Sequence, residues 1–169
     1  RVNCNVLVQN PDDADYLLER EIVSSGQIRQ ICGAGVDTQK FRPAPAPDGS
    51  FQVILHSRLL WDKGIREFVE AARVLRKRGL DCKFLLVGEG DAGNPACIPD
   101  ETLEAWHNEG AVSWLGRRTD IPELLNASHI ACLPSYREGA PLSLIEAAAC
   151  GLPIVTTDVP GCREIVEHD

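Results

Sequence analysis

The sequence predicts an α/β fold with a doubly wound, Rossmann-like parallel sheet. Three observations carry this. Short apolar runs alternate with amphipathic segments along most of the chain, which is the rhythm of βαβ units. The runs are apolar at successive positions, as in Val53-Ile54-Leu55 and Phe84-Leu85-Leu86-Val87, which is how strands read when helices cover both faces of a sheet. The length of 169 residues, 44% hydrophobic and 25% charged, is ordinary for one globular domain and excludes a disordered or fibrous chain.

Taken in order, the first strand is expected over residues 4–9, followed by a short helix over 12–21 that starts at Pro11-Asp12. A second short strand over 28–32 runs into Gly33-Ala34-Gly35. Residues 42–50 carry Pro43, Pro45 and Pro47 at alternate positions, which favours a stiff, extended linker. It divides an N-terminal piece, residues 1–41, from the main unit, residues 51–169. In the main unit a strand is expected over 51–57. A helix over 63–78 follows, with Ile65, Phe68, Val69, Ala72 and Leu75 on one face and Gly79 as its stop. Strand 82–87, helix 100–109 with Asp100 as N-cap, strand 112–115 and helix 120–127 come next. Strand 130–133, helix 141–150, strand 153–157 and a last helix over 161–167 complete the series. Ligands of such sheets bind at the carboxyl ends of the strands, so the segments just after strands are where chemistry is sought.

Composition removes several function classes. The net charge is −8, whereas a general nucleic-acid binder needs a basic field to release counterions. No apolar run approaches the about 18 residues of a membrane span, and no basic stretch with an apolar core opens the chain as a signal peptide would. The chain starts at Arg1 and has no Met, so a processed or cut N-terminus is expected. The seven cysteines form no C-x-x-C pair and sit mostly in apolar runs. Free buried thiols in a reducing cytosol are the simple reading.

Gly88-Glu89-Gly90-Asp91-Ala92-Gly93 matches G-x-G-x-x-G after a strand. A dinucleotide fingerprint needs a helix to begin inside the glycine run. Pro95 and Pro99 follow instead, and a helix through them would lose donors and clash. A loop above the sheet is expected, and NAD binding is set aside.

Two other segments carry more chemistry. Arg58 stands at the end of strand 51–57 and Lys63 at the start of the next helix. A cation at a helix N-terminus opposes the macrodipole unless an anion shares the site. A planar Arg fork and a Lys point charge together suit a diphosphate, although a surface Arg and Lys would read the same way. The second segment follows strand 130–133. Gly139 allows close backbone approach and Pro141 suits a first helical turn. The free amides of Gly139, Ala140, Leu142 and Ser143 would then form an anion site. Glu146 lies within that helix and leans back toward its N-terminus. A carboxylate there accepts hydrogen bonds from a diol such as a ribose, and Glu138 can face a sugar. Glu146 taken alone reads equally as a solvated helical glutamate, but it is followed by Ala147-Ala148-Ala149-Cys150-Gly151, which favours burial, and a buried carboxylate needs a partner.

Glu138 and Glu146 form an E-x7-E pattern within Glu138-Gly139-x-Pro141…Glu146-Ala147-x-Ala149-Cys150-Gly151-x-Pro153-Ile154-Val155. With Gly35-Val36-Asp37…Phe41, Arg58-x4-Lys63-Gly64 and Trp114-Leu115-Gly116, the chain resembles the family-4 retaining glycosyltransferases of the GT-B fold over about residues 28–167. The resemblance implies one half of a two-domain GT-B enzyme, the C-terminal half that binds a nucleotide-diphosphate sugar such as a UDP- or GDP-sugar. It implies transfer to a glycan or lipid-linked acceptor with retention of anomeric configuration, in polysaccharide or glycolipid assembly. Arg58 and Lys63 would hold the diphosphate together with Gly139, Ala140, Leu142 and Ser143, with no divalent metal and no cofactor. Glu146 would bind the ribose, Glu138 would contact the donor sugar at the reacting centre, and Leu115 and Arg118 would lie near the base. Arg118, with Arg117, is equally readable as a surface pair. Residues 1–41 would be the end of an acceptor-binding domain otherwise missing, the chain would stop before the family's last elements, and this half would be inactive alone. Cytoplasmic placement is implied, with peripheral contact at the inner membrane face through the missing domain. The alternatives are a nucleotide-sugar binding module without turnover and a GT-B sugar-nucleotide epimerase.

Overall fold

The computed structural model describes residues 4–166. Its centre is a parallel five-stranded sheet. The strands are β3 (Phe51–His56), β4 (Cys82–Val87), β5 (Ser113–Trp114), β6 (Ile130–Leu133) and β7 (Ile154–Thr156). The first two strands, β1 (Val6–Val8) and β2 (Ile28–Gln30), pair in parallel as a separate small sheet around α1 (Pro11–Glu19). Helices α2 (Ile65–Lys77), α3 (Asp100–Asn108), α4 (Ile121–Asn126) and α5 (Leu142–Ala149) connect the five main strands.

The apolar runs divide between two faces, as a period of two requires. Val53, Leu55, Phe84 and Leu86 pack with Phe68 of α2 and Leu103 of α3. Ile54, Val87 and Ala131 pack on the other face with Leu125 of α4 and Ala147 of α5. Both faces are therefore dry, which is why these strands are continuously apolar. Phe41 stands on the N-terminal side of the Pro/Ala stretch, yet it is buried in this second cluster.

The sheet order is β5-β4-β3-β6-β7. The chain moves outward from β3 through β4 to β5, then crosses back to place β6 on the other side of β3. The crevice at the carboxyl ends of β3 and β6 is thus the topological switch point, where doubly wound sheets take their ligands.

Several boundaries differ from the sequence reading. The expected helix 63–78 is divided by Gly64, whose φ of 70° ends a 3-10 turn at Trp61–Lys63 and starts α2 at Ile65. Lys63 therefore precedes the helix. Pro141 is the cap of α5 in extended conformation, one residue before the first helical turn. Pro99 rather than Asp100 caps α3. Residues 161–165 form turns and no helix, with Cys162 N–H donating to Val159 O at 3.1 Å and Ile165 N–H to Cys162 O at 3.1 Å. Glu167 at the end of that expected helix, and the expected cut ends at Arg1 and Asp169, lie outside the described residues. All seven cysteines are free, but Cys4 and Cys32 are exposed, unlike the buried set expected; they lie on the small sheet's segments, away from the main core.

Among the described residues no helix is long and apolar enough to cross a membrane. The glycine loop after β4 starts no helix before Asp100. It is bound to the segment after β3, because Leu59 N–H donates to Glu89 O at 2.9 Å and Trp61 N–H to Ala96 O at 2.8 Å.

Candidate functional site

A pocket of about 470 Å³ opens at the carboxyl ends of β3 and β6. His56, Ser57 and Arg58 enter it from the end of β3, and Leu133 from the end of β6. Lys63 enters from the 3-10 turn. Glu138, Ala140, Leu142, Ser143 and Glu146 enter from α5 and the loop before it. Of the ten residues singled out from sequence, seven line this pocket. Gly139 faces the adjoining hollow on the far side of Glu138. Leu115 packs into the second core cluster, and Arg118 pairs with Asp120 at 2.8 Å; neither lines the pocket.

The local chain explains how these groups meet. Gly64 lies against the chain leaving β6: a Cβ on Gly64 would overlap the Pro134 carbonyl oxygen and come within 2.6 Å of its carbon. The 3-10 turn is also bonded to that segment. Asp62 O accepts from Ser135 Oγ at 2.9 Å and from Tyr136 N–H at 2.9 Å. Lys63 is thereby carried to Glu138, and its Nζ lies 2.6 Å from each carboxylate oxygen. The two side chains are only 15% and 10% exposed, so this is a charge-assisted pair that water screens weakly. Glu138 is fixed through its backbone as well, with its N–H donating to Pro160 O at 3.0 Å.

The start of α5 is open to an anion. The N–H groups of Leu142 and Ser143 occupy the first helical turn, where no intrahelical acceptor exists. Those of Gly139 and Ala140 find no protein acceptor among the described residues either. Of the four amides the sequence nominated, those of Ala140, Leu142 and Ser143 belong to residues lining the pocket beside the Lys63–Glu138 pair, and that of Gly139 to the adjoining hollow. Arg58 is 61% exposed and is paired with Asp91 at 3.0 Å. A surface pair of that kind is weak enough for an incoming anion to replace it.

Glu146 lies deeper, and burial pushes its carboxyl up from the usual range while Lys40 pulls it back. His56 shares that depth and was not singled out from sequence. Its position as the last residue of a strand, immediately before Ser57-Arg58, is the signal that could have found it. The His56 Nε2 lies 3.2 Å from Ser143 O and 3.7 Å from a Glu146 oxygen. A carbonyl accepts only, so Nε2 carries the proton and donates. Burial pushes the imidazole from 6.5 down to about 4, and His56 is neutral at neutral pH.

The unfolded chain protonates His56 near 6.5 and the fold only near 4, so its contribution to stability is complete above 6.5 and is lost as pH falls toward 4. Glu146, raised in the fold, acts in the opposite direction on acidification. Denaturant unfolding of wild type and His56→Gln isolates the histidine. The stability gap between them should change by roughly 3 kcal/mol against wild type between pH 7.5 and pH 4. A gap independent of pH contradicts a neutral buried His56.

Among the described residues no group of three or more His, Cys, Asp or Glu side chains is arranged to hold a metal ion.

Comparisons with known proteins identify the family and the fold. Residues 50–169 match the family described as Glycosyl transferases group 1. The chain is 46% identical over 116 residues to N,N'-diacetylbacillosaminyl-diphospho-undecaprenol alpha-1,3-N-acetylgalactosaminyltransferase of Campylobacter jejuni, covering 69% of this chain and 29% of that enzyme. It is 32% identical over 148 residues to UDP-Gal:alpha-D-GlcNAc-diphosphoundecaprenol alpha-1,3-galactosyltransferase of Escherichia coli, covering 80% of this chain and 38% of that enzyme. The chain thus spans about a third of the length of the curated relatives it matches. Among solved structures, it superposes on Anabaena HepE in complex with UDP-glucose with a TM-score of 0.80 at 23% identity, covering 97% of this chain and 47% of HepE. Sucrose-phosphate synthase from Thermosynechococcus elongatus gives a TM-score of 0.76 at 26% identity, covering 94% of this chain and 42% of the synthase. The fold is thereby that of the GT-B glycosyltransferases.

Proposed function

The chain belongs to the group 1 glycosyl transferases, and on that premise we propose that it is the donor-binding half of an enzyme that moves a sugar from a nucleotide diphosphate to a glycan or lipid-linked acceptor, with retention of configuration. The observation that carries this reading is the open amide edge of α5 set against the Lys63–Glu138 pair at the switch point of the sheet.

The chemistry follows from the groups present. Cleaving a sugar from a nucleotide diphosphate develops negative charge on the departing diphosphate and positive charge at the anomeric carbon. Fixed donors in a sheltered site stabilise such charge without reorganising. The N–H groups of Gly139, Ala140, Leu142 and Ser143 face the diphosphate, with the positive end of α5 behind them. Arg58 leaves Asp91 to grip an outer phosphate oxygen. Lys63 has three N–H donors and directs two at Glu138, which leaves one for the diphosphate. The Glu138 carboxylate, held in place by Lys63, contacts the donor sugar at the reacting centre, and Glu146 accepts hydrogen bonds from the ribose hydroxyls. In this account the protein's own donors replace a divalent ion. The two curated relatives are named for undecaprenol-linked substrates, which supports a lipid-linked acceptor and work at the inner membrane face for the whole enzyme.

The test separates the two ends of the nucleotide. Arg58→Ala is expected to weaken UDP or GDP about tenfold while leaving the nucleoside nearly unchanged, whereas Glu146→Ala weakens diphosphate and nucleoside alike. Titration calorimetry reads both. Unchanged affinity in both variants would remove these residues from the donor site.

A further inference from the structure

We infer that Asn10, contributed by the N-terminal piece, is a positioning residue that aims the diphosphate-binding amides of Gly139 and Ala140; the inference rests on the donor-site reading above. Asn10 is completely buried. Its Oδ1 accepts from Asp13 N–H at 2.8 Å, which caps α1. Its Nδ2 reaches across the fold to Gly139 O at 2.9 Å and Glu138 O at 3.3 Å, and also to Asp13 Oδ2 at 3.0 Å. The orientation of the amide is fixed by its partners. All three of these groups are acceptors, so the side chain can only present its NH₂ to them.

Gripping two successive carbonyls has a geometric consequence. A trans peptide is planar, with its C=O and N–H pointing in opposite directions. The Glu138 carbonyl shares a peptide with the Gly139 N–H, and the Gly139 carbonyl shares one with the Ala140 N–H. Holding both oxygens against Asn10 therefore turns both N–H groups away from α1. Ala140 lines the donor pocket and Gly139 the adjoining hollow, and neither N–H donates to a protein group among the described residues. The cap of one helix thus sets the polarity of the loop that opens another. Arg137 extends the arrangement by pairing with the Asp13 carboxylate. The N-terminal piece on this account completes the site.

Asn10→Ser separates the two duties of the residue. A serine still caps α1, since its hydroxyl can accept from Asp13 N–H, but it is too short to reach the two carbonyls. Freed, the Glu138–Gly139–Ala140 peptides can rotate and their amides lose their aim. The readout is the affinity gap between a nucleoside diphosphate and its nucleoside, measured by calorimetry with UDP against uridine and GDP against guanosine. A purely structural role lowers folding stability but does not move this gap in the folded protein. The gap for the preferred base is expected to narrow about tenfold in Asn10→Ser. Asn10→Asp keeps the cap acceptor and the volume while removing the donors, and carries the same expectation should Asn10→Ser fail to fold. A folded variant with an unchanged gap overturns the inference and leaves the donor-site reading standing. If wild type binds neither diphosphate, the donor-site reading falls and the inference falls with it.

Discussion

Lys63→Met is expected to lower folding stability by about 3–5 kcal/mol, because it strands the Glu138 carboxylate in a site where that side chain is 10% exposed. The Lys63 Nζ bonds both oxygens at 2.6 Å, and methionine offers neither charge nor donor. Glu138 borders the pocket but is only slightly exposed, so water restores part of what the ammonium supplied and the rest of the carboxylate's desolvation cost stands uncompensated. The partner substitution is the control. In Lys63→Met/Glu138→Gln the buried charge is gone, and much of the lost stability should return, since replacing a whole buried pair is far less harmful than removing half of it. Chemical denaturation of the single and double variants measures this directly. Donor chemistry should be impaired in both variants even so, because the single variant lacks the Lys63 ammonium and the double variant lacks the Glu138 carboxylate as well. Equal destabilisation in the single and double variants would mean that the pair is not a coupled buried unit.

Gly64→Ala is expected to cost about 2–5 kcal/mol, the sum of a left-handed backbone penalty and a steric overlap. The φ of 70° at Gly64 already disfavours a Cβ, and the methyl group would overlap the Pro134 carbonyl. Its neighbour there is backbone, so a rotamer change cannot relieve it. The relief available is to push the segment after β6 away from the 3-10 turn, which separates Lys63 from Glu138. The substitution should therefore lower thermal stability and donor affinity together. A folded Gly64→Ala with normal nucleotide affinity would show that the close approach of these segments does not set the site.

Much of the fold was legible because strands buried on both faces are written as continuous apolar runs. Cys82–Val87 and Ile130–Leu133 come out with the boundaries read from sequence. Errors concentrated where one residue changes the backbone's course. Gly64 follows Lys63 and precedes an amphipathic stretch, so pattern alone merged them into one helix; its left-handed conformation is set by tertiary contact with Pro134. Residues 161–165 have helical composition but turn instead, with Gly161 at a φ of 85°.

The candidate site was legible in its anions and cations but not in its wiring. Glu138, Lys63 and the α5 amides announce themselves by residue type and by place after strands. That Lys63 is joined to Glu138 depends on bringing together segments on either side of β4 and β5, which periodicity does not encode. His56 and Asn10 were silent for another reason. Each sits at the end of an ordinary strand or the cap of an ordinary helix, and only the long-range partners, Ser143 O in one case and Glu138 O and Gly139 O in the other, reveal a role.

The crevice at the carboxyl ends of β3 and β6 is the proposed seat of a nucleotide diphosphate. Its most direct test is a thermal-shift titration of this chain with UDP, GDP, their sugars, the free nucleosides and NAD. One diphosphate and its sugars should raise the melting temperature with rising concentration, as a ligand of the folded state must, and the nucleosides should do so much less. Stabilisation by NAD, or no stabilisation by any nucleoside diphosphate, would contradict it.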